Sequence, residues 1–541
     1  MGAKIVLFEK TEKHIYENYP VRGFLSSMQK PILIGLKDIQ IDSTYIIWDD
    51  NTYQKIDIKN QLNKIINIEK KDHLPHFNYT ILTSKPNNTT RFEDITQETK
   101  LHFKHVENDF RELNREQLLP HFNSTFGPAV AVADINKDGL ADVFIGGARY
   151  NQSALFFQQK NGTFIKSTQL FKEDENFEDV DAQFADLNND GNIDLVIASG
   201  GNEFYGNDKH QFTRIYLNDG KGNFLPLSNP ISNYINAKLI RVEDFNKDGW
   251  NDIFIAEKTI PFQYGMPASG YFLINNKQGK WIDQTAEIAP MFTKMGMITD
   301  VQFIDLNKDN KKDIVVCYEW GPIDIFINQN NTYKKQGLTD KQGWWNFIKP
   351  IDLNNTGNID FIGGNMGLNA RFNPSQKEPI HLYVNDFDNN GQTEAVLTYF
   401  VDHKEITFAS KDELQKQLPI IKKKFLYAEN FANANLQDIL GQEKLNTAKK
   451  YTADYFSNSI FINDGKNNFK TIALPWQAQI TPYNDALPID INKDGLMDIL
   501  CVGNFYNNNI QMGRFDADYG TILINKGNYV FEPSPINGLF L

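Results

Sequence analysis

Seven stretches of the chain carry acidic and amide side chains at alternate positions of a nine-residue loop. The first reads Asp134-Ile-Asn136-Lys-Asp138-Gly139-Leu-Ala-Asp142, and six later stretches keep the same spacing. Oxygen donors at positions one, three and five, a sharp turn at position six and an acid at position nine suit a hard cation such as Ca2+. The spacing therefore predicts about five to seven structural calcium ions.

The predicted metal ligands fall into seven sets of side-chain oxygens, with the Leu140 carbonyl added in the first. They are Asp134, Asn136, Asp138, Leu140 and Asp142; Asp186, Asn188, Asp190 and Asp194; Asp244, Asn246, Asp248 and Asp252; Asp305, Asn307, Asp309 and Asp313; Asp352, Asn354 and Asp360; Asp386, Asp388, Asn390 and Glu394; and Asp490, Asn492, Asp494 and Asp498. Asp, Asn and Gly also form turns without metal, but a turn does not require the ninth-position acid. Thr356 replaces a carboxylate in the fifth loop, so that site should be weakest or empty.

The elements around these loops have the pattern of strands. A short apolar run follows each loop, as in Val143-Phe144-Ile145, and then comes an aromatic strand ending in an Asn/Gly turn, as in 215–224. Such runs predict buried strands, and the Asp-Gly step predicts a hairpin. An EF-hand would need flanking helices instead. The repeat therefore predicts an all-β chain built as a seven-bladed β-propeller.

The repeats occupy only part of the chain. We expect a small antiparallel β domain over residues 1–70, a polar linker over 71–100 and the propeller over 101–541. The sixth and seventh loops are widely separated, and Ser410 with Glu413 is typical of a helix capping box. The sequence therefore predicts a short helical insertion over residues 410–450.

Composition excludes several classes. The net charge of −13 argues against nucleic-acid binding, which needs a basic surface. Cys317 and Cys501 follow corresponding strands of different repeats, so we expect two separate buried thiols rather than a disulfide or a zinc site. No apolar run is long enough to span a membrane, and no export signal is visible at the beginning of the sequence.

The loop phrase followed by an apolar strand resembles the FG-GAP or VCBS repeat of integrin α-subunit propellers. The stretches Gly2-Ala3-Lys4, 22–26, 34–36 and 48–50 resemble the ASPIC/UnbV domain of cartilage acidic protein and many bacterial surface proteins, and the stretch 363–369 resembles the bacterial branch. The resemblance implies an exported, calcium-binding protein of the cell surface or outer membrane, acting in adhesion or recognition. It also implies that this chain is a C-terminal portion of a longer protein.

Three functions remain open. The first is a recognition or adhesion module that binds a glycan or protein on the propeller face where the long loops after the inner strands gather. The expected ligand-face residues are Arg149, Tyr150, Asn202, Tyr205, Trp320, Asn365, Arg371, Tyr506 and Arg514. The second is a polysaccharide lyase or glycosidase, for which Glu203, Glu319 and Arg149 are the candidate loop residues. The third is a scaffold subunit of an outer-membrane assembly that docks through the helical insertion. We expect no catalytic residues on the first interpretation.

Overall fold

The computed structural model describes residues 2–9, 12–23, 26–28, 30–36, 41–58, 61–82, 92–169, 171, 174–329 and 332–534. The chain forms two compact units, Met1–Thr90 and Arg91–Leu541. The boundary lies within the segment 71–100 that the sequence assigned to a linker.

The first unit is a small antiparallel sheet. Its strands are β1 (Lys4–Glu9), β2 (Glu12–Glu17), β3 (Val21–Gly23), β4 (Ser26–Ser27), β5 (Ser43–Ile47) and β6 (Tyr53–Ile56). The main sheet has the order β2-β1-β5-β6, and β3 pairs with β4. Val6, Ile47 and Phe77 form its apolar core. Phe77 belongs to the expected linker segment, so the β domain uses more of the chain than its repeat-free pattern indicated.

The second unit contains seven four-stranded antiparallel sheets within the described ranges. The first four comprise β7 (Val130–Ala133), β8 (Asp142–Ile145), β9 (Ala154–Gln158) and β10 (Phe164–Lys166); β11 (Asp179–Ala185), β12 (Asp194–Ser199), β13 (Arg214–Asn218) and β14 (Phe224–Pro226); β15 (Ala237–Glu243), β16 (Asp252–Glu257), β17 (Gly270–Asn275) and β18 (Trp281–Asp283); and β19 (Ile298–Ile304), β20 (Asp313–Tyr318), β21 (Gly321–Asn328) and β22 (Tyr333–Gly343).

The remaining strands form three more sheets. They are β23 (Phe347–Ile351), β24 (Asp360–Gly364), β25 (Ile380–Asn385), β26 (Glu394–Val401), β27 (Lys404–Thr407), β28 (Lys449–Ala453), β29 (Ser459–Asn463), β30 (Phe469–Ala473), β31 (Tyr483–Ile489), β32 (Asp498–Gly503), β33 (Thr521–Asn525) and β34 (Phe531–Pro533). The sheet orders are β23-β24-β29-β30, β27-β26-β25-β28 and β31-β32-β33-β34. The predicted all-β propeller architecture is confirmed.

The predicted count of seven blades is not confirmed, because one sheet is nested inside another. In six sheets the first strand lies at an edge, as in a propeller blade, but β25 pairs with both β26 and β28. In the chain, the strands of this nested sheet come between β24 and β29, which pair with each other as the second and third strands of the fifth blade. The sixth acidic loop belongs to it, which explains the uneven spacing of the loops.

The six blades follow one another through their first strands. Strand β7 contacts β11, β11 contacts β15, β15 contacts β19, β19 contacts β23 and β23 contacts β31. Apolar clusters fill the five interfaces between consecutive blades, and all six residues of β12 are buried. Ahead of the first blade, the Phe122 amide donates to the Asn507 carbonyl at 2.9 Å, and the Asn509 amide donates to that of Pro120 at 2.9 Å. These bonds join the segment ahead of the first blade to the last blade.

The helices are short. They are α1 (Thr96–Thr99), α2 (Thr285–Ile288), α3 (Lys411–Gln417), α4 (Ile420–Lys424), α5 (Ala428–Asn433), α6 (Leu436–Leu440) and α7 (Gln442–Thr447), with 3-10 turns at Tyr79–Ile81, Glu112–Asn114, Lys209–Gln211, Pro290–Phe292 and Trp476–Gln479. Helices α3 to α7 occupy the predicted insertion and pack on the nested sheet. The predicted capping box is confirmed: the Glu413 amide donates to Ser410 Oγ at 3.3 Å and the Ser410 amide donates to Glu413 Oε2 at 2.8 Å. The whole insertion is longer than expected, since it also includes β25 to β28.

Cys317 and Cys501 are free and buried, in β20 and β32. The prediction of two separate thiols is confirmed.

Candidate functional site

Each acidic loop connects the first and second strands of its sheet. In the first loop, Asp134 Oδ2 accepts the Gly139 amide at 2.8 Å and Asp138 Oδ1 accepts the Leu140 amide at 2.9 Å. Asn136 Oδ1 accepts the Asp138 amide at 3.0 Å. The side chains at positions one, three and five therefore converge on the turn, as a calcium loop requires.

The ninth-position acid lies deeper than the other loop side chains and begins the second strand in all seven sheets. Asp252 has no exposed surface, and its Oδ2 accepts the Phe245 amide at 3.0 Å while its Oδ1 accepts the Asn275 amide at 2.8 Å. These bonds tie the acidic loop to the third strand. The ninth-position acid thus links the acidic loop to the third strand by hydrogen bonds, in addition to its expected role as a cation ligand.

Burial of these acids has an electrostatic consequence. Burial, with the negative charges of the same loop adding to it, raises the pKa of Asp194 and Asp252 to about 6 and that of Glu394 to about 7. The same cause raises the pKa of Asp142, Asp313 and Asp360. A divalent cation bound among these carboxylates would lower their pKa values, because it favours the ionised form.

Two loops show donors that fit a cation. In the second loop, Asp186 Oδ1 is buried without a hydrogen-bond partner among the described residues. In the sixth loop, one carboxylate oxygen each from Asp386, Asp388 and Glu394 lie within 4.8 Å of one another. Carboxylate oxygens in a loop of this kind are the ligands that Ca2+ prefers. The donor set therefore fits calcium.

The predicted ligand-face residues lie at the opposite end of the sheets, in or near the segments that follow the second strands. Tyr150, Tyr205 and Tyr506 are 60%, 70% and 47% exposed. Arg371 and Arg514 are also exposed; Arg371 donates to Tyr399 Oη at 3.1 Å, and the Arg514 guanidinium lies 4.3 Å from the centre of the Tyr506 ring. This end of the unit therefore presents aromatic and cationic groups to solvent.

Three predicted face residues are buried instead. Asn202 donates to Glu112 Oε1 at 2.5 Å, and Asn365 Oδ1 accepts the Trp344 amide at 3.1 Å. Trp320 packs on Trp344 with ring centres 4.8 Å apart. These side chains support the loops and do not form an accessible face. Their pattern in the sequence does not reveal this, because loop burial depends on neighbouring blades.

Arg149 and Glu203, two of the candidate catalytic residues, pair with each other. Glu203 also accepts Asn108 Nδ2 at 2.7 Å, and its side chain is 5% exposed. The Arg149 guanidinium lies 4.6 Å from the centre of the Phe204 ring. The charged groups of Arg149 and Glu203 thus contact neighbouring loop residues and stabilise the loops.

A cavity of about 340 Å³ lies where the first strands converge, and it opens among the loops after the second strands. It is lined by residues from four of the six blades, the third to the sixth, and from the segment ahead of the first blade, including His121, Phe126, Lys238, Lys258, Thr299, Glu319, Trp344, Asn346, Asn484, Asn504 and Tyr506. We call this the central cavity. Of the predicted ligand-face residues, Tyr506 lines this cavity.

Glu319 is the centre of a buried polar cluster in this cavity. Its Oε1 lies 2.5 Å from His121 Nε2 and accepts Tyr264 Oη at 2.5 Å, and its Oε2 pairs with Lys258. Trp320 Nε1 donates to Tyr264 Oη at 2.9 Å. Burial alone would raise the pKa of Glu319, but the charges of His121 and Lys258 outweigh it and hold that pKa well below its ordinary value.

The cavity is cationic although the chain is acidic. Lys238 and Lys258 both lie over the Phe126 ring, with their nitrogens 4.3 Å and 4.9 Å from its centre. Burial, together with the charge of Lys258, lowers the pKa of Lys238 to about 8. Glu319 is the one carboxylate among the described lining residues. Two lysines and one carboxylate therefore line the cavity.

The sequence pattern did not single out Lys238, Lys258 or His121 as site residues. Lys238 interrupts the apolar pattern of β15, and Lys258 directly follows the buried strand β16. A lysine at such a position is a usable signal, because burying an ammonium group is costly without a partner. His121 precedes the blades and carries no comparable signal.

Two family models match parts of the chain. Three overlapping segments, 134–197, 186–255 and 244–316, match the model of the FG-GAP-like repeat, and residues 1–74 match that of ASPIC and UnbV. The chain therefore contains FG-GAP-like repeats and an ASPIC/UnbV domain. Such repeats are typical of extracellular and surface proteins. The predicted resemblance is therefore confirmed.

No curated protein matches this sequence. Among solved structures, the biofilm matrix protein Bap1 of V. cholerae is 12% identical, with a TM-score of 0.28, covering 77% of this chain and 82% of that one. A putative exo-β-1,3-galactanase from Bifidobacterium bifidum S17 is 10% identical (TM-score 0.28; 54% and 95% covered). A thermostable family-43 glycoside hydrolase is 9% identical (TM-score 0.27; 53% and 96% covered).

Within the described ranges, no helix is long and apolar enough to cross a membrane.

Proposed function

We propose that this chain is a calcium-stabilised recognition module of the cell surface or extracellular space, and that it binds the anionic groups of a glycan in the central cavity. The observation that carries the proposal is the excess of cationic groups in a cavity of about 340 Å³ on an otherwise acidic chain. Tyr506, which lines the cavity and is 47% exposed, suits the face of a sugar ring. An acidic protein segment is the alternative ligand.

The energetics favour an anion. Lys238 is half-buried over an aromatic ring, and burial, together with the charge of Lys258, lowers its pKa to about 8. A carboxylate or sulfate group beside this ammonium would form a charge-assisted bond in a site partly shielded from water. Trp344 adds a buried indole N–H that has no partner among the described residues. A ligand oxygen could satisfy both donors.

A glycan array tests this proposal, comparing uronate- or sulfate-bearing chains with neutral ones. We expect binding to the anionic glycans and at least a tenfold loss in Lys238→Met, since a charge-assisted bond contributes about 1.5–3 kcal/mol. The matched control is Lys160→Met, which changes an exposed lysine in the β9–β10 turn. Equal binding of neutral and anionic glycans, or equal affinity of the two variants, would contradict the proposal.

The calcium part has its own test. Chelator-treated protein should melt at a lower temperature than untreated protein, and elemental analysis should find several calcium ions per chain. The physical reason is mutual repulsion of carboxylates within each loop when the cation is removed. Unchanged melting together with an absence of bound calcium would refute it.

A polysaccharide-degrading enzyme is the second candidate, because Glu319 lies beside Lys258 and Tyr264 as an elimination reaction would require. Hydrolysis through two facing carboxylates fits less well, since Glu319 is the one carboxylate among the described lining residues. Its low pKa also makes it a weak base. Appearance of the ultraviolet absorbance of an unsaturated uronate product would establish elimination, and its absence with glycan binding retained favours recognition.

A further inference from the structure

A cluster of three ionisable side chains lies outside both the acidic loops and the central cavity. His105 and Glu107 belong to the segment ahead of the first blade, and Glu178 precedes β11. One ligand-type atom from each residue lies within 4.8 Å of the other two. The acidic-loop motif does not include this cluster, and its members come from separate parts of the chain.

Three buried atoms of this cluster have no hydrogen-bond partner among the described residues. Glu178 is 3% exposed, and its Oε1, His105 Nδ1 and Glu107 Oε2 are buried atoms with no hydrogen-bond partner among the described residues. The other atoms are engaged: His105 Nε2 lies 2.8 Å from Glu107 Oε1, and Glu178 Oε2 accepts the Arg149 amide at 3.0 Å. Buried polar atoms are normally paired, so three orphans together indicate a missing group.

Gly127 lies beside this cluster. A Cβ at Gly127 would lie 3.3 Å from both Glu178 Oε1 and His105 Cε1, so the unpartnered oxygen and the imidazole face the same point. The side chains of His105 and Glu107 are 18% and 26% exposed, which gives an ion access from solvent. The cluster is therefore enclosed on the Glu178 side and open on the other.

We propose that His105, Glu107 and Glu178 bind a divalent transition-metal ion, with zinc as the representative. One imidazole nitrogen and two carboxylates suit such an ion, whereas Ca2+ prefers oxygen ligands alone. Ligands around zinc lie roughly 3–4 Å apart, so the present separation requires only a small closure. The ion would tie the segment ahead of the first blade to the second blade.

Zinc binding by the full chain tests this inference, with excess calcium present to fill the acidic loops. We expect one equivalent of zinc to remain after dialysis, and we expect its loss in His105→Ala and in Glu178→Gln. The matched control is His102→Ala, which removes an exposed histidine three positions earlier and should keep the ion. Zinc retained by both site variants, or none bound by the wild type, would overturn the proposal.

Cobalt provides a readout that does not depend on the variants folding. Co2+ added to the wild-type protein should give visible absorption bands of a nitrogen-containing, low-coordinate site, and zinc should displace them. A spectrum identical to that of aqueous Co2+ would overturn the proposal. The calcium and glycan measurements are independent of this result, because the three residues belong to neither site.

Discussion

Replacement of Asn275 by alanine should destabilise the propeller by removing a bond between blades. Asn275 ends β17, is 4% exposed, and donates through Nδ2 to the Leu187 carbonyl of the preceding blade at 2.9 Å and to the Asn251 carbonyl at 3.1 Å. After the substitution the Asn251 carbonyl still accepts a hydrogen bond from Trp281 Nε1 at 3.3 Å. The Leu187 carbonyl has no other donor among the described residues. One buried carbonyl left unsatisfied costs about 1–3 kcal/mol, so we expect a loss of about 2 kcal/mol.

Denaturant unfolding followed by tryptophan fluorescence measures this loss, in buffer of fixed calcium concentration. The control Gln278→Ala changes an exposed residue of the adjacent turn and should stay within about 0.5 kcal/mol. Asn218→Ala and Asn525→Ala should resemble Asn275→Ala, because both side chains also donate to the preceding blade. Asn463→Ala should cost less, since Asn463 donates to Ile359 of its own blade. Equal stability of Asn275→Ala and Gln278→Ala would refute the reasoning.

Two further predictions use buried ionisable groups. Burial raises the pKa of Glu257 from 4.5 to about 7, so the folded state holds this proton more tightly and stability should fall as pH rises through that window. Glu257→Gln should remove up to about 3 kcal/mol of this dependence, measured from unfolding midpoints at about pH 5 and pH 8; an unchanged slope would contradict it. Cys317 and Cys501 should resist a thiol-alkylating reagent in the native protein and react only after unfolding, because burial raises the pKa of both thiols. Mass spectrometry checks this, and rapid native labelling would show that the strands open.

Local patterns were sufficient to predict the repeated unit. The spacing around Asp134 and its copies placed a loop between two strands, and all seven loops occupy that position in the structure. The apolar runs that follow became buried strands such as β12. These features depend on residues close together in the chain, where turn chemistry and strand periodicity act directly.

The number of blades could not be read from the same pattern. The loop at Asp386 and its strand repeat the local phrase, yet β25 pairs on both sides and belongs to a nested sheet. Which strand neighbours which is a long-range property. The same limit explains the burial of Trp320 and Asn365, whose surroundings come from other loops and blades.

The two ends of each blade make stability and recognition separable. Since the first and second strands are antiparallel, the acidic loop lies at one end and the long loop with the central cavity at the other. Removing calcium should therefore lower the melting temperature while leaving the glycan affinity of the still-folded protein unchanged, measured well below the transition. Lys238→Met should show the reverse, with weaker binding and unchanged melting. If chelation weakens binding in protein that remains folded, the cations must act across the length of the blades, and the assignment of separate roles to the two ends fails.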